Sequence, residues 1–529
     1  MATTYLTPGV YVEEVPSSSA TLSAGATAIA AFVGFTAKAP SDDPGDPEGL
    51  KPRLVSNWTQ FEQLYGGFTP GAMLPHSVYA YFNNGGSLAY IVRIPHTQPS
   101  DEPGTLALPA ADRTLGPAIE ITTVEPNADI ALTVTPEPPA ETDGDDAEAP
   151  TFRVDVAERG ETVESFPGLT LTPGKRNIET VVNEESTRVK VATKIDTSAL
   201  EAELASLQAG TYSIEPAPPT PVAVPGRAFA GSETARNGIN GLVISEDVTM
   251  VLVPDLVTAA RQEDGTVDLN MWKTVQLALI NHCENQANRM AILDAPPGMT
   301  PQQIKEWRSD IAMYDSAFAT MYYPWVKVAN PAATNGDTEI MVPPSGHMAG
   351  IWARNDDTRG VHKAPANEVI RGALSLELQI TKGEHDQLNP TGINCIRAFP
   401  GRGIRVWGAR TLSSDPSWRY LNVRRLFNYV EESILEGTQW VVFEPNDMNL
   451  WQRVKRTLNA FLVRTWRDGA LFGATPGEAF YVKCDAENNP PEVIDAGQLV
   501  VEIGIAPVKP AEFVIFRIAQ FSGGAALSE

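Results

Sequence analysis

Residue types that do chemistry are present in this chain, but few are spaced to do it. Gly401, Gly403 and Gly408 in GRGIRVWG are spaced GxGxxxxG. A dinucleotide fingerprint needs GxGxxG between a strand and a helix whose N-terminus meets the pyrophosphate. Here Pro400 precedes the run and Ile404 to Trp407 reads as a strand, so glycines at tight turns are the simpler account. There is no GxxxxGKS/T phosphate loop, no GxSxG elbow and no HExxH metal helix. Glu384, His385 and Asp386 cluster in a segment that reads as a solvated loop. His282, Cys283 and Glu284 fall on a helix, where neighbours diverge by about 100° and cannot share an ion. The 6 histidines are a thin supply of general bases. Asp356 and Asp357 sit beside Arg354 and Arg359, which favours a local salt-bridge loop over a glycosidase pair. Asp255 and Asp294 follow strand-like runs, where α/β enzymes often place their sites. An α/β enzyme with an inserted lid, using Asp255, Asp294 and Asp356, therefore stays open. No cofactor or metal is predicted.

One helix carries an unusual charge pattern. Leu450 to Arg467 holds Arg453, Lys455, Arg456, Arg464 and Arg467, with no acid before Asp468. On a helical wheel starting at Arg453, the four arginines fall at about 0°, 300°, 20° and 320°. Leu450, Trp451, Val454, Leu458, Phe461 and Leu462 cover about 60° to 180°. One face is therefore core and another is cationic. Either acids of the same fold pair with it, or it docks onto an acidic partner surface, with nucleic acid a third option that the overall charge disfavours.

The balance of charge sharpens that choice. The chain has 40 basic and 65 acidic residues, a net charge of −25. Nucleic acid and anionic membrane surfaces would be repelled by such a chain. With 529 residues and 43% hydrophobic content, it has room for two to four domains with sizeable cores. Its 3 cysteines are far apart, which argues against a disulfide framework and suits a reducing cytoplasm. The first basic residue is Lys38, so a signal-peptide n-region is not expected.

The elements that position these residues follow from periodicity. Ala28 to Phe35 reads as a buried strand, Trp58 to Tyr65 as a helix stopped by Gly66, His76 to Phe82 as a helix, and Ala89 to Ile94 as a strand. Composition changes near Pro95, and six acids without a base lie between Glu137 and Glu148. Residues 96–226 are predicted to be an inserted, mostly β domain. Beyond it come strands at 250–253, 290–293 and 325–328, alternating with helices at 269–287 and from Thr300 to about Thr320. Helices at 417–436 and 450–467, strands at 440–443 and 499–505, and a terminal strand at 513–518 complete the pattern. Tyr5, Val10, Tyr11, Val12 and Val15 favour a strand at the other end. It is either an edge of its own domain or a strand given to another chain.

Several segments are family-specific. YLTPGVYVEEVPS (Tyr5–Ser17), AIAAFVGFTAKAP (Ala28–Pro40), MVPPSGHMAGIWARNDDTRGVHKAPAN (Met341–Asn367), INCIRAFPGRGIRVWGARTL (Ile393–Leu412) and NVRRLFNYVEESILEGTQWVVFEPND (Asn422–Asp447) occur in this order. Together they resemble contractile phage tail sheath proteins, a family that also serves tailocins and contractile injection systems. The resemblance implies a structural protein and not an enzyme. It implies an N-terminal arm and linker (1–19), a core domain in two parts (20–95 and 227–390), the inserted outer domain (96–226), a C-terminal domain (391–507) and a C-terminal arm and tail (508–529). The overall class would be mixed α/β and multidomain. Its arms, with Phe513, Val514, Ile515, Phe516 and Ile518 in the second, would augment a small sheet in neighbouring subunits. Hinges would lie at Ser17 to Ser19 and near Val508–Pro510. The implied partners are other copies in a helical polymer, an inner tube, and baseplate and terminal cap proteins, with no nucleic acid and no membrane insertion. Assembly would occur in the bacterial cytoplasm, and the cationic helix would face the tube.

Overall fold

A computed structural model describes residues 22, 25–40, 46, 49–98, 100–110, 117–126, 128–137, 151–194, 207–215, 217, 219–333, 336 and 338–517. The chain divides into two compact units, one of residues up to 94 and from 224 onward, the other of residues 95–223.

The first unit is built on an eight-stranded sheet. Its order is Arg53–Val55, Leu88–Arg93, Ile29–Gly34, Met250–Leu252, Met290–Asp294, Ala319–Tyr323, Ile393–Phe399 and Gly403–Val406. The six inner strands run parallel, and the two outer ones are antiparallel to their neighbours. Parallel strands are covered on both faces, so their sequences are apolar throughout. Alternate side chains enter opposite layers. Ala31 and Val33 pack with Trp272, Leu279 and Trp307, whereas Ala30 and Phe32 pack with Tyr81, Met348 and Trp352. The helix Leu269–Gln286 lies in the first layer, and the helices Leu74–Asn84 and Ser345–Arg359 in the second. Those last two helices touch through Gly346 and Gly350, one turn apart. A Cβ on Gly346 would lie 2.5 Å from the Ser77 carbonyl oxygen, and one on Gly350 2.5 Å from that of Tyr81.

Residues 95–223 form a separate core. A three-stranded sheet (Val189–Thr193, Pro117–Thr123, Thr105–Pro109) and a four-stranded one (Gly210–Ile214, Ile130–Glu137, Thr151–Glu158, Glu161–Leu169) are antiparallel throughout. One helix, Ile178–Glu185, also contributes to it. Of the acidic run, only Glu137 is described, and it pairs with Arg153 at 2.7 Å.

Six expectations are corrected. The helix capped by Thr300 ends early: its α segment is Pro301–Glu306, followed by a π turn, Trp307–Ala312. The third parallel strand is then Ala319–Tyr323, and the expected strand near 325–328 is Val326–Ala329 in a separate antiparallel sheet. A short, fully buried apolar run has no period to separate it from a helix end. The helix expected from Ser417 begins at Leu421, because Thr411 bonds back to the Arg419 carbonyl and holds 411–419 in a reversed loop. Residues 440–443 form no strand but a 3-10 turn, Gln439–Val441, and an exposed loop. Glu384 and His385 lie on a helix, Lys382–Leu388, because Thr381 and Glu384 form a capping box. Finally, Phe513 to Arg517 lie outside any strand, with Phe513 to Phe516 exposed.

Candidate functional site

The cationic helix forms as Met448–Arg467, and the Asp447 side chain accepts from the Leu450 amide at 2.8 Å to cap it. Leu450, Trp451, Val454, Leu458, Phe461 and Leu462 are buried on one side. They pack with Leu426 and Val430 of the helix Leu421–Gly437, and with Phe480 and Val482 of a two-stranded hairpin. Arg453, Arg456, Arg464 and Arg467 are exposed on the other side. Amphipathic spacing alone therefore separates core from charge.

The arginines are not equivalent. Arg453 pairs with Glu444 at 3.2 Å and lies 4.6 Å over the Trp440 ring. Among the described residues, Arg456, Arg464 and Arg467 have no carboxylate within 4.0 Å. Lys455 is half-buried and falls at about 200° on the wheel, away from the stripe. The structure thus does not bring Lys455 together with the arginines.

The two terminal segments differ in what is described. Tyr5, Val10, Tyr11, Val12, Val15, Ser17 to Ser19 and Ile518 lie outside the described residues. The stretch at 506–512 is held to the body rather than free to hinge. The Val508 amide donates to the Ala470 carbonyl at 3.2 Å, and Asn422 donates to the Val508 carbonyl at 3.1 Å. Glu512 accepts from Arg410 and Asn389. The expected hinge at Val508–Pro510 thus lies between two fixed points, the Val508 backbone and the Glu512 side chain.

The three acids that an enzyme reading would use are each occupied by structural donors. Asp255 is fully buried and accepts from the Phe35 amide at 2.6 Å, the Leu74 amide at 3.1 Å and the Met73 amide. Burial pushes its carboxyl up to about 7 against the pull of those donors. Asp294 accepts from the Ser345 amide at 2.8 Å and its hydroxyl at 2.6 Å, and burial pushes it up to about 7 as well. Asp356 is not in a local salt-bridge loop. It lies on the helix Ser345–Arg359 and pairs with Arg425 at 2.6 Å and 2.9 Å. Arg354 instead bonds the carbonyls of Asn84 and Val369. Each acid thus pins a different pair of elements. His282 and Cys283 are buried, and burial lowers the first to about 4 and raises the second to about 12, which leaves both uncharged at neutral pH. Gly401 and Gly403, at φ 70° and 76°, form the turn between two paired strands, as the glycine spacing suggested. Among the described residues, no group of three or more His, Cys, Asp or Glu is arranged to hold a metal, and no helix is long and apolar enough to cross a membrane.

Sequence reasoning missed the Arg425–Asp356 and Arg410–Glu512 pairs. Their partners are 69 and 102 positions apart, so no local spacing announces them.

Comparison with known proteins supplies the context for this geometry. Residues 245–412 match the family model for the phage tail sheath protein central domain, and residues 413–521 match the phage tail sheath C-terminal domain. Together the matches span more than half of the chain. The tail sheath protein of Vibrio phage KVP40 is 26% identical over 325 residues, which is 57% of this chain and 47% of that protein. The tail sheath protein of Burkholderia phage BcepMu is 29% identical over 246 residues, 44% of this chain and 50% of that protein. The chain thus aligns with about half the length of these curated relatives. The fold is similar to the helical sheath of the anti-feeding prophage in its contracted state, with a TM-score of 0.57, 23% identity and coverage of 98% and 100% of the two chains. It is also similar to the contracted sheath complex of the PVC extracellular contractile injection system, with a TM-score of 0.56, 24% identity and coverage of 98% and 99%.

Proposed function

The chain belongs to the phage tail sheath family, and from that premise we propose that it is the structural sheath subunit of a contractile injection particle. Copies polymerise helically around an inner tube in an extended, metastable state. A baseplate signal releases them, and the polymer contracts to drive the tube into a target. The work comes from the difference between two packings of one chain, so no nucleotide site or catalytic centre is needed. Asp255, Asp294 and Asp356 hold elements together in this reading. Assembly takes place in the bacterial cytoplasm, with baseplate and cap proteins at the two ends.

The observation that carries the tube contact is the exposed arginine face on a chain of net charge −25. Exposed charges give screened, reversible attraction, which suits a surface that must let the tube slide. We assign Arg456, Arg464 and Arg467 to that contact. The terminal arms would join copies by adding strands to the hairpin Phe480–Lys483 and Glu502–Ile505 of a neighbour. Four exposed apolar residues, Phe513 to Phe516, directly after an anchored Glu512 support that role for the C-terminal arm. Non-closing contacts of this kind give a helical polymer.

Negative-stain electron microscopy with preassembled tubes tests the reading. The full chain is expected to coat tubes as long cylinders. The Arg456→Glu, Arg464→Glu, Arg467→Glu triple variant is expected to leave them bare. Removal of the first 16 residues is expected to abolish cylinders as well. Full coating by the triple variant would remove the tube assignment, and bare tubes with the unaltered chain would remove the sheath reading.

A further inference from the structure

The loop between the helices Leu421–Gly437 and Met448–Arg467 holds a large aromatic ring wholly in solvent. Phe443 is 103% exposed and its neighbour Val442 is 60% exposed. The Phe443 backbone stands at φ 65°, a left-handed conformation that strains a bulky residue. Water gives no return on either feature.

The loop is nonetheless fixed. Glu444 holds Arg453 at 3.2 Å, and the same guanidinium covers the Trp440 ring at 4.6 Å. Asn446 donates to the Gln498 carbonyl at 2.8 Å and accepts from the Trp451 indole at 2.8 Å. A braced, strained loop that presents an apolar ring beside arginines has the make-up of a binding hot spot.

Arg453 also fixes where that ring lies. It is the first arginine of the exposed stripe, so the loop it holds sits at the N-terminal end of the same face. A partner surface that runs along the stripe and past Arg453 meets the loop that carries Phe443. Those three cations select an acidic partner.

We propose that Phe443 is the apolar anchor of the contact with the inner tube, and that Arg453 positions this anchor rather than touching the tube. This rests on the sheath reading above. The tube surface is then acidic with an apolar recess. The arginines supply salt-screened steering, and the ring supplies affinity that salt does not weaken.

Two experiments on the full chain, with tubes purified from the same particle, test this. A photo-crosslinking phenylalanine analogue at position 443 is expected to give an adduct with the tube protein. An adduct with a second copy of this chain, or none in coated tubes, overturns the proposal. In co-sedimentation across a salt series, Phe443→Ala is expected to bind tubes roughly tenfold more weakly at every salt concentration, with an unchanged salt slope. Arg456→Gln is expected to flatten the slope. The exchange Arg453→Glu with Glu444→Arg keeps the brace and is expected to retain high-salt binding. Loss of that binding removes the role of Arg453. Affinity of Phe443→Ala equal to the unaltered chain overturns the anchor and leaves the sheath reading intact. Failure of the unaltered chain to bind tubes at any salt concentration overturns both.

Discussion

Arg410 grips Glu512 with two nitrogens, Nε at 2.8 Å from one carboxylate oxygen and Nη2 at 2.6 Å from the other. The two side chains are 11% and 19% exposed, and Asn389 donates a third bond at 2.7 Å. This is the last anchored point before the exposed run Phe513 to Phe516. Tension on a C-terminal arm would therefore enter the body here, through strong charge-assisted bonds.

Loss of this grip should free the segment behind it. Glu512→Ala is expected to lower the local opening free energy at 506–512 by about 1.5–3 kcal/mol, the range for bonds to a charged group. Hydrogen exchange at Val508 should accelerate while the parallel sheet keeps its protection. The exchange Arg410→Glu with Glu512→Arg should restore slow exchange. Burial pushes the Glu512 carboxyl up, but the bonds from Arg410 and Asn389 outweigh it and hold the group below its ordinary 4.5. The grip is then complete above pH 4.5 and is lost as pH falls through the lowered value. Equal exchange in the alanine variant and the unaltered chain would show that the anchor lies elsewhere.

Asp255 and Asp294 give the opposite pH response. Both are raised from 3.8 to about 7 by burial. Between these values the folded chain holds protons that the unfolded chain has lost, so their contribution is complete below 3.8 and fades as pH rises through about 7. Asp294→Asn, which stays neutral and can still bond Ser345, should flatten the stability profile across this window. Urea unfolding at several pH values measures it. An unchanged slope in the variant would assign the pH dependence to other groups.

Legibility in the sequence followed locality. The helix Met448–Arg467 was readable because six apolar residues and four arginines share one 3.6-residue period. The strands Ile29–Gly34 and Met290–Asp294 were readable as apolar runs bounded by turn residues. Ala319–Tyr323 was not, since a short, fully buried run of five residues has no period to separate it from a helix end. The exposure of Val442 and Phe443 was hidden for a related reason: β-branched and aromatic residues signal a strand unless the partner strand is missing. Of the site, the stripe could be drawn from spacing, but its division could not. Glu444 lies outside the helix, and only the folded loop brings it to Arg453.

The glycines at the helix contact make a packing prediction. Gly350→Ala would set a methyl 2.5 Å from the Tyr81 carbonyl and 2.7 Å from the Asn84 Cβ. Backbone on one side and a helix axis on the other leave little room to yield. A loss of about 1–3 kcal/mol is expected from overpacking. Gly383→Ala, where nothing lies within 4 Å of the added methyl, should be nearly neutral and serves as the control. Equal melting temperatures for the two variants would mean that the helices can separate without cost.

The pair Arg425 and Asp356 gives the sharpest stability test, because both side chains are only 3% exposed. Breaking a buried pair leaves an uncompensated charge and costs about 3–5 kcal/mol. Asp356→Asn should fall at the low end, since its amide oxygen still accepts one bond. Arg425→Met should be worse. Arg425 also donates to the Thr27 carbonyl at 2.9 Å, next to the start of the strand Ile29–Gly34, and lies 4.6 Å over the Trp352 ring. Replacing both residues, Asp356→Leu with Arg425→Met, removes the stranded charge but still orphans the Thr27 carbonyl. The double variant should therefore be more stable than Arg425→Met alone yet stay below the unaltered chain. Urea unfolding of the four proteins measures the order. A double variant less stable than Arg425→Met would mean that the pair is held by packing at Trp352 and Thr27 rather than by the meeting of its charges.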